Sequence, residues 1–255
     1  MAIKGLLIDL DGVLYVGDEG TPGAARMLQV IRDRNIPFRF VSNTTRKSRR
    51  TISRRLQAMG FFVEPGEIFT PAVAAISWLE TQASPRVHLL TTGDVDQEFL
   101  EAGFRSVDHG VDQVVVGDAG ENFSYPRMNQ VFRFVMDGAG IIALEKDRYW
   151  MAPEGLSLSA GPFVTALEYA TRQSARVMGK PSPEFFRLAL EALGVPAGSV
   201  AMIGDDIDTD IGGALSCGMK AILVRTGKFR PDVTEASPVS PTAVIDNFAH
   251  MEKML

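Results

Sequence analysis

Short runs of apolar residues alternate along the chain with segments that carry apolar side chains at helical spacing. The apolar runs predict buried strands at residues 6–8, 38–41, 87–90, 114–116, 141–144, 200–203 and 221–224. The segments between them predict helices at residues 24–31, 48–59, 125–138 and 185–193, with a loop over 231–241 and a closing helix over 247–255. Such alternation is typical of an α/β fold built on a largely parallel sheet.

The strand and helix pattern restarts in the middle of the chain. Between about Pro71 and Arg172 there are strands and helices enough for a separate core. A chain of 255 residues with 45% hydrophobic residues is long enough for two domains of modest size. We therefore expect a domain inserted within another.

Composition narrows the class of protein. The chain has one cysteine, which cannot form an internal disulfide or a thiolate zinc site. The first apolar run is too short for a signal sequence, and nothing approaches the roughly 18 apolar residues that span a bilayer. A net charge of −5 disfavours a nucleic-acid partner. We expect a cytoplasmic protein with neither a nucleic-acid nor a membrane partner.

One local run is strongly basic. It covers residues 46–50, and Arg54 and Arg55 follow on the same predicted helix. The run is compatible with a solvated helix face or with an electrostatic funnel for an anionic substrate.

Two carboxylates follow the first predicted strand. Asp9 and Asp11 are two positions apart, so in extended backbone they point to the same side, and Gly12 lets the chain turn away. Like charges this close repel unless a cation or protons intervene, which favours a divalent metal. Asp-x-Asp-Gly also suits an ordinary turn, so this motif alone is not decisive.

Three further polar clusters lie at strand ends or before a predicted helix. Ser42–Thr45 offers hydroxyls, an amide and backbone N–H groups to an oxyanion, although a polar turn has the same composition. Lys180 precedes a proline. Residues 205–210 place four aspartates directly after an apolar strand, a density that metal binding would offset. Open parallel sheets bind ligands at the carboxyl ends of their strands.

In this order the clusters resemble the haloacid dehalogenase (HAD) superfamily of phosphohydrolases. The signatures that match are Asp9–Gly12, Ser42, Lys180 and Gly204–Asp210. The closer resemblance is to the NagD-like branch. Within that branch, residues 161–170 resemble the subgroup of phospholysine phosphohistidine inorganic pyrophosphate phosphatase and its haloacid dehalogenase-like relatives. The resemblance implies a Rossmann-like parallel-sheet core over residues 1–74 and 174–255, with an α/β cap domain over 75–173.

The resemblance also implies a mechanism and a site. Asp9 would be the nucleophile that becomes an aspartyl phosphate, and Asp11 the acid and base. Mg²⁺ would be bound by Asp9, by the backbone carbonyl of Asp11 and by Asp205. The remaining implied residues are the phosphate-binding Ser42, Asn43, Thr44 and Lys180, and the supporting Asp206 and Asp210.

The substrate is left open among small phosphorylated molecules. Phospholysine, phosphohistidine and pyrophosphate fit the subgroup, whereas sugar or nucleotide phosphates fit the branch as a whole. A phosphate-binding regulator without turnover is a third interpretation, and the presence of both Asp9 and Asp11 disfavours it. The resemblance is also compatible with a homodimer formed through the cap.

Overall fold

The structure is a computed structural model that describes residues 3–152 and 154–255. Its strands in chain order are β1 (Gly5–Asp9), β2 (Tyr15–Val16), β3 (Glu19–Gly20), β4 (Phe38–Val41), β5 (Ile68–Phe69), β6 (Val87–Leu90), β7 (Gln113–Val116), β8 (Gly140–Ala143), β9 (Tyr149–Ala152), β10 (Gly155–Leu158), β11 (Arg176–Val177), β12 (Val200–Gly204), β13 (Lys220–Val224) and β14 (Ala243–Ile245). Its α-helices are α1 (Ala24–Asp33), α2 (Arg49–Ala58), α3 (Pro71–Leu79), α4 (Asp96–Glu101), α5 (Tyr125–Met136), α6 (Ala160–Thr171), α7 (Pro183–Leu193), α8 (Gly213–Ser216) and α9 (Pro231–Ala236).

The chain forms two compact units. The core unit contains the residues up to Ser42, Ile52–Phe69 and Lys180–Leu255, and the inserted unit contains Asn43–Thr51 and Thr70–Gly179. The domain boundaries expected from the sequence stay a prediction.

A six-stranded sheet forms the centre of the core unit. Its order is β14-β13-β12-β1-β4-β5, and the neighbouring strands pair in parallel. The β1 and β12 side chains are buried at every position. A strand that is buried on both faces has a nearly continuous apolar sequence, and this is why the sequence predicts both β1 and β12.

A smaller parallel sheet forms the centre of the inserted unit. Its order is β11-β8-β7-β6. Helices α5 and α6 pack on it through buried residues that include Val131 and Val164. Strands β9 and β10 form a separate antiparallel hairpin. The α/β class predicted from the sequence is confirmed.

Local capping explains where helix α7 begins and ends. The Ser182 side chain accepts a hydrogen bond from the Glu184 N–H, and Pro183 occupies the first turn, where its missing N–H costs nothing. The helix ends at Gly194, whose φ of 73° is left-handed and suits glycine. These caps fix the segment that follows Lys180.

Two sequence expectations are wrong in detail. Residues 231–236 of the expected loop form helix α9, because Pro231 is compatible with a first helical position. The closing helix is a 3₁₀ helix over Phe248–Lys253, capped by Asn247, which accepts from the Ala249 N–H. Within the residues that the structure describes, no helix has the length and apolar character needed to cross a membrane.

Candidate active site

The ends of neighbouring strands bring the predicted acidic residues of the core unit together. Asp9 is the last residue of β1, and Asp205 directly follows β12, which pairs with β1 in parallel. On the other side of β1, Asp9 lies opposite Val41 of β4, and Ser42 follows. Parallel strands place their carboxyl ends at one edge of the sheet. Residues more than a hundred positions apart in sequence therefore meet there.

Lys180 lies between two of these carboxylates. Its Nζ donates to Asp9 Oδ1 at 2.5 Å and to Asp210 Oδ1 at 2.6 Å. The relative exposures of Lys180, Asp9 and Asp210 are 4%, 7% and 1%. Charges this deeply buried are tolerated only when they are paired and hydrogen-bonded. The fold therefore depends on these two ion pairs, which also fix the position of the Lys180 ammonium in the site.

The carboxylates of Asp9, Asp205 and Asp210 form one acidic cluster. One oxygen from each lies within 4.8 Å of the others, and all three residues are buried. Three carboxylates face the single ammonium of Lys180, which leaves an excess of two negative charges if all are ionised. A divalent cation would offset that excess, and carboxylate oxygens are the ligands that Mg²⁺ prefers. The residues present therefore fit a magnesium ion.

Burial makes this charge costly in the absence of a metal. Burial raises the pKa of Asp9 well above its ordinary value, and the negative charges of Asp210 and Asp205 add to the effect although Lys180 opposes it. Burial, together with the charge of Asp210, raises the pKa of Asp205 to about 7. Both shifts show that the cluster favours a compensating positive charge.

The Asp205 carboxylate is fixed by a hydrogen bond from a backbone N–H group and by two glycines that lie close to it. Its Oδ2 accepts a hydrogen bond from the Lys228 N–H at 2.7 Å. A Cβ at Gly12 or at Gly227 would overlap the Asp205 carboxylate. Gly12 also has a φ of 83°, a left-handed conformation that side chains disfavour. Two close glycine backbones therefore fix the space that Asp205 occupies.

Asp11 lies at the accessible rim of the site. Its side chain is exposed and is not among the clustered carboxylates, and the Gly12 N–H donates to the Tyr15 carbonyl at 2.7 Å to close the turn. Loss of hydration raises the pKa of Asp11 above its ordinary value, and the positive charges of Lys228 and Arg55 partly offset this. An accessible carboxyl with a raised pKa is suited to proton transfer.

Asp206 and Asp210 lie in different environments. Asp206 Oδ1 accepts from the Asp208 and Thr209 N–H groups, each at 3.0 Å, and so caps the π-helical turn Ile207–Gly212. Burial raises the pKa of Asp206, but these N–H groups and Lys228 outweigh it and hold the pKa below its ordinary value. Asp210 instead enters the buried cluster, where its Oδ1 accepts a hydrogen bond from Lys180 Nζ at 2.6 Å.

The predicted phosphate-binding residues divide between the two units. Ser42 is in the core unit, where it is 8% exposed and its N–H donates to the Phe69 carbonyl at 3.2 Å. Asn43 and Thr44 belong to the inserted unit. Within that unit the next residue, Thr45, accepts at its hydroxyl oxygen from the Asp118 N–H at 3.1 Å.

The basic run is largely paired with acids. Arg46 contacts Asp118 at 2.9 Å, Arg49 contacts Glu98 at 2.8 Å and Arg50 contacts Glu101 at 3.1 Å, all within the inserted unit. In the core unit, Arg55 contacts Asp18 at 3.0 Å. This pairing favours a structural role for the run over an electrostatic funnel.

Sequence reasoning missed one segment of the site. Thr226, Gly227 and Lys228 follow β13, and they contact Gly12 and Asp205. The available signal was the same as for the other clusters, because a polar residue and a glycine follow the apolar run 221–224.

Comparisons with known proteins agree with this geometry. A family model described as haloacid dehalogenase-like hydrolase matches residues 6–105, and one described as HAD-hydrolase-like matches residues 177–251. The chain is 42% identical to haloacid dehalogenase-like hydrolase domain-containing protein 2 of Pongo abelii, over 98% of this chain and 94% of that protein. It is also 42% identical to phospholysine phosphohistidine inorganic pyrophosphate phosphatase of Rattus norvegicus, over 99% of this chain and 94% of that protein.

Among solved structures, NagD from E. coli K-12 matches with a TM-score of 0.89 and 27% identity, over 98% of both chains. The chain therefore belongs to the haloacid dehalogenase-like hydrolases, in their NagD-like branch. It is a phosphatase with an α/β core and an inserted α/β cap. The family, fold class and enzyme class predicted from the sequence are confirmed.

Proposed function

We propose that this phosphatase requires Mg²⁺ and hydrolyses small phosphorylated substrates through an aspartyl phosphate on Asp9. The observation that carries the proposal is the convergence of Asp9, Asp205 and Asp210 within 4.8 Å, with Lys180 bonded to two of them. Such a cluster supplies a nucleophile, a cation-binding set and a fixed positive charge in one place.

The proposed metal ligands are the side chains of Asp9 and Asp205 and the backbone carbonyl of Asp11. When bound, Mg²⁺ supplies positive charge that offsets the negative charge of the phosphoryl group and of the carboxylates. Phosphoryl transfer depends mainly on such positioning and charge compensation.

In the first proposed step, a carboxylate oxygen of Asp9 attacks phosphorus in line. The new bond joins Asp9 oxygen to phosphorus, while the bond between phosphorus and the leaving oxygen or nitrogen breaks. Asp11 gives its proton to the departing atom. In the second step Asp11 takes a proton from water, whose oxygen attacks phosphorus and releases phosphate and the Asp9 carboxylate.

Lys180 and Ser42 would hydrogen-bond the phosphoryl oxygens. Lys180 can do so from a fixed position, because Asp210 holds its Nζ at 2.6 Å. We assign Asp210 to the orientation of Lys180, and Asp206 to the conformation of the turn that it caps. Asn43 and Thr44 stay predicted as phosphate-binding residues.

We propose pyrophosphate and phosphorylated amines as the first substrates to test. The support is the printed name of the Rattus norvegicus relative, which covers 99% of this chain at 42% identity. Sugar and nucleotide phosphates are the alternative. A panel of pyrophosphate, imidodiphosphate, phospholysine and sugar phosphates would distinguish the two, since the preferred class should have the larger kcat/KM.

The test of the mechanism is hydrolysis of p-nitrophenyl phosphate with and without Mg²⁺. The wild-type protein should turn over only with Mg²⁺, and Asp9→Asn should reduce kcat by roughly a thousandfold or more because the nucleophile is lost. Asp208→Asn is the matched control, since Asp208 is an exposed acid in the neighbouring turn. Wild-type turnover by Asp9→Asn, or full activity in a chelator, would contradict the proposal.

A further inference from the structure

The segment Thr226–Lys228, which follows β13, contacts the loop after β1 and the residue after β12. The three strands are neighbours in the order β13-β12-β1, so the segment passes over the end of the middle strand. The Thr226 hydroxyl donates to the Gly12 carbonyl, 214 positions away in sequence. Two residues later, the Lys228 N–H donates to Asp205 Oδ2 at 2.7 Å.

Gly227 lies between the two residues that donate these hydrogen bonds, and its backbone packs closely against Asp205 and Gly12. A Cβ there would overlap the Asp205 carboxylate and would lie against the Gly12 Cα. A Cβ at Gly12 would overlap the same carboxylate. The Asp205 side chain is therefore confined between two glycine backbones and hydrogen-bonded from one of the two segments.

We propose that Thr226–Lys228 is a positioning segment, which sets the orientation of the Asp205 carboxylate and of the Asp9–Gly12 loop for cation binding. The inference rests on the proposed Mg²⁺ site. Hydrogen bonds to a ligating carboxylate fix its orientation, and their loss typically lowers metal affinity by about 10-fold to 100-fold. Thr226 acts on Asp205 indirectly, because its bond to Gly12 holds Gly227 and the Lys228 N–H in place.

The experiment measures Mg²⁺ affinity by isothermal titration calorimetry, which does not depend on activity. We expect Thr226→Val to weaken Mg²⁺ binding by roughly tenfold because the bond to Gly12 is lost, and Thr226→Ser to retain affinity within about twofold because its hydroxyl remains. Thr234→Val is the matched control. Its hydroxyl also donates to a backbone carbonyl, that of Arg230 at 2.9 Å, and its affinity should equal that of the wild type.

Gly227→Ala tests the segment by a second route. Gly227 has a φ of 61° and Gly17 has a φ of 62°, so alanine strains the backbone similarly at both positions. At Gly17 the added Cβ meets nothing within 4 Å, whereas at Gly227 it meets Asp205. Only Gly227→Ala should weaken Mg²⁺ binding. This comparison decides the question even if Thr226→Val does not fold.

The outcomes separate the two proposals. Mg²⁺ affinity unchanged in both Thr226→Val and Gly227→Ala would overturn the positioning role and leave the proposed function intact. Equal weakening by Thr234→Val or by Gly17→Ala would also overturn it, since the effect would then be general loss of stability. A wild-type protein that binds no Mg²⁺ would overturn the proposed function, and this inference with it.

Discussion

Lys180 and Asp9 are joined by a 2.5 Å hydrogen bond although they are 171 positions apart in sequence. Lys180 also bonds Asp210, so a single buried ammonium orients the proposed nucleophile and is itself held by a second carboxylate. This arrangement keeps Asp9 in place before substrate arrives. It also leaves negative charge unbalanced, since Asp205 belongs to the same cluster, and this supports the proposed cation.

Removal of the Lys180 ammonium should destabilise the fold. Lys180→Met leaves the buried Asp9 and Asp210 carboxylates without their partner, and breaking one side of a buried ion pair costs about 3–5 kcal/mol. Lys228→Met is the matched control, because Lys228 Nζ is 3.5 Å from Asp206 and its side chain is 70% exposed. Exposed pairs contribute about 0–1 kcal/mol.

Urea unfolding monitored by circular dichroism, in the absence of Mg²⁺, measures both variants. A loss of free energy of unfolding no larger for Lys180→Met than for Lys228→Met would contradict the burial argument.

Alanine at Gly12 should damage the site beyond its effect on the backbone. Gly12 and Gly17 both have positive φ, of 83° and 62°, so both alanine variants carry left-handed strain of about 1–2 kcal/mol. Only at Gly12 does the new Cβ overlap the Asp205 carboxylate. We expect Gly12→Ala to lose most phosphatase activity with p-nitrophenyl phosphate and Gly17→Ala to retain it. Comparable activity in the two purified variants would show that the close approach to Asp205 is unimportant.

Mg²⁺ affinity should rise with pH. Without metal the pKa of Asp205 is raised to about 7 by burial and by Asp210, and Mg²⁺ requires the carboxylate form. Protons are therefore released on binding below pH 7. Asp205 alone should make the affinity increase about tenfold between pH 6 and pH 8, and Asp9, whose pKa is also raised, should act in the same direction. Calorimetry in buffers of different ionisation enthalpy measures both the affinity and the proton release. Equal affinity at the two pH values, without proton release, would count against Asp205 as a ligand.

The raised pKa of Asp205 should also make the stability of the metal-free protein depend on pH. The folded-state pKa of Asp205 is raised from 3.8, so its protonated form contributes stability that is lost as the pH rises through about 7. The rise in Tm that Mg²⁺ causes should therefore be larger at pH 8 than at pH 6. Thermal melts with and without Mg²⁺ at the two pH values measure it, and a smaller rise at pH 8 would contradict the linkage.

Asp11→Asn should slow the release of phosphate from Asp9. An amide cannot take a proton from the attacking water, so the covalent intermediate should accumulate with an activated substrate such as p-nitrophenyl phosphate. Intact-protein mass spectrometry after an acid quench should show one added phosphoryl group. A full turnover rate without an adduct would remove Asp11 from the proposed proton transfers.

Much of the site was predictable because its residues directly follow strands. The apolar runs that form β1 and β12 end at Asp9 and before Asp205, and the order of a parallel sheet brings such ends together. Lys180 was predictable only through the family resemblance, since an isolated lysine before a proline carries no local signal of burial.

Local pattern places Thr226–Lys228 after a strand, as it does the other clusters, but it does not give the contacts that the segment makes. Their importance depends on which strand lies next to which, and the sequence does not state that β13 lies beside β12. Helix α9 was missed for a different reason, because Pro231 and the surrounding polar residues are as typical of a loop as of a short helix. In both cases tertiary context decided between alternatives that the sequence left equal.

Asp9 and Asp205 are proposed to bind one cation. The phosphorus atom of the substrate would lie next to that cation, where Asp9 can attack it. A crystal structure with Mg²⁺ and beryllium fluoride, which imitates a phosphoryl group on a carboxylate, tests it most directly. We predict Mg²⁺ coordinated by both carboxylates, with the fluoride adduct on Asp9 and Lys180 bonded to its fluorines. A structure with Mg²⁺ bound elsewhere, or with the adduct on another residue, would contradict the account.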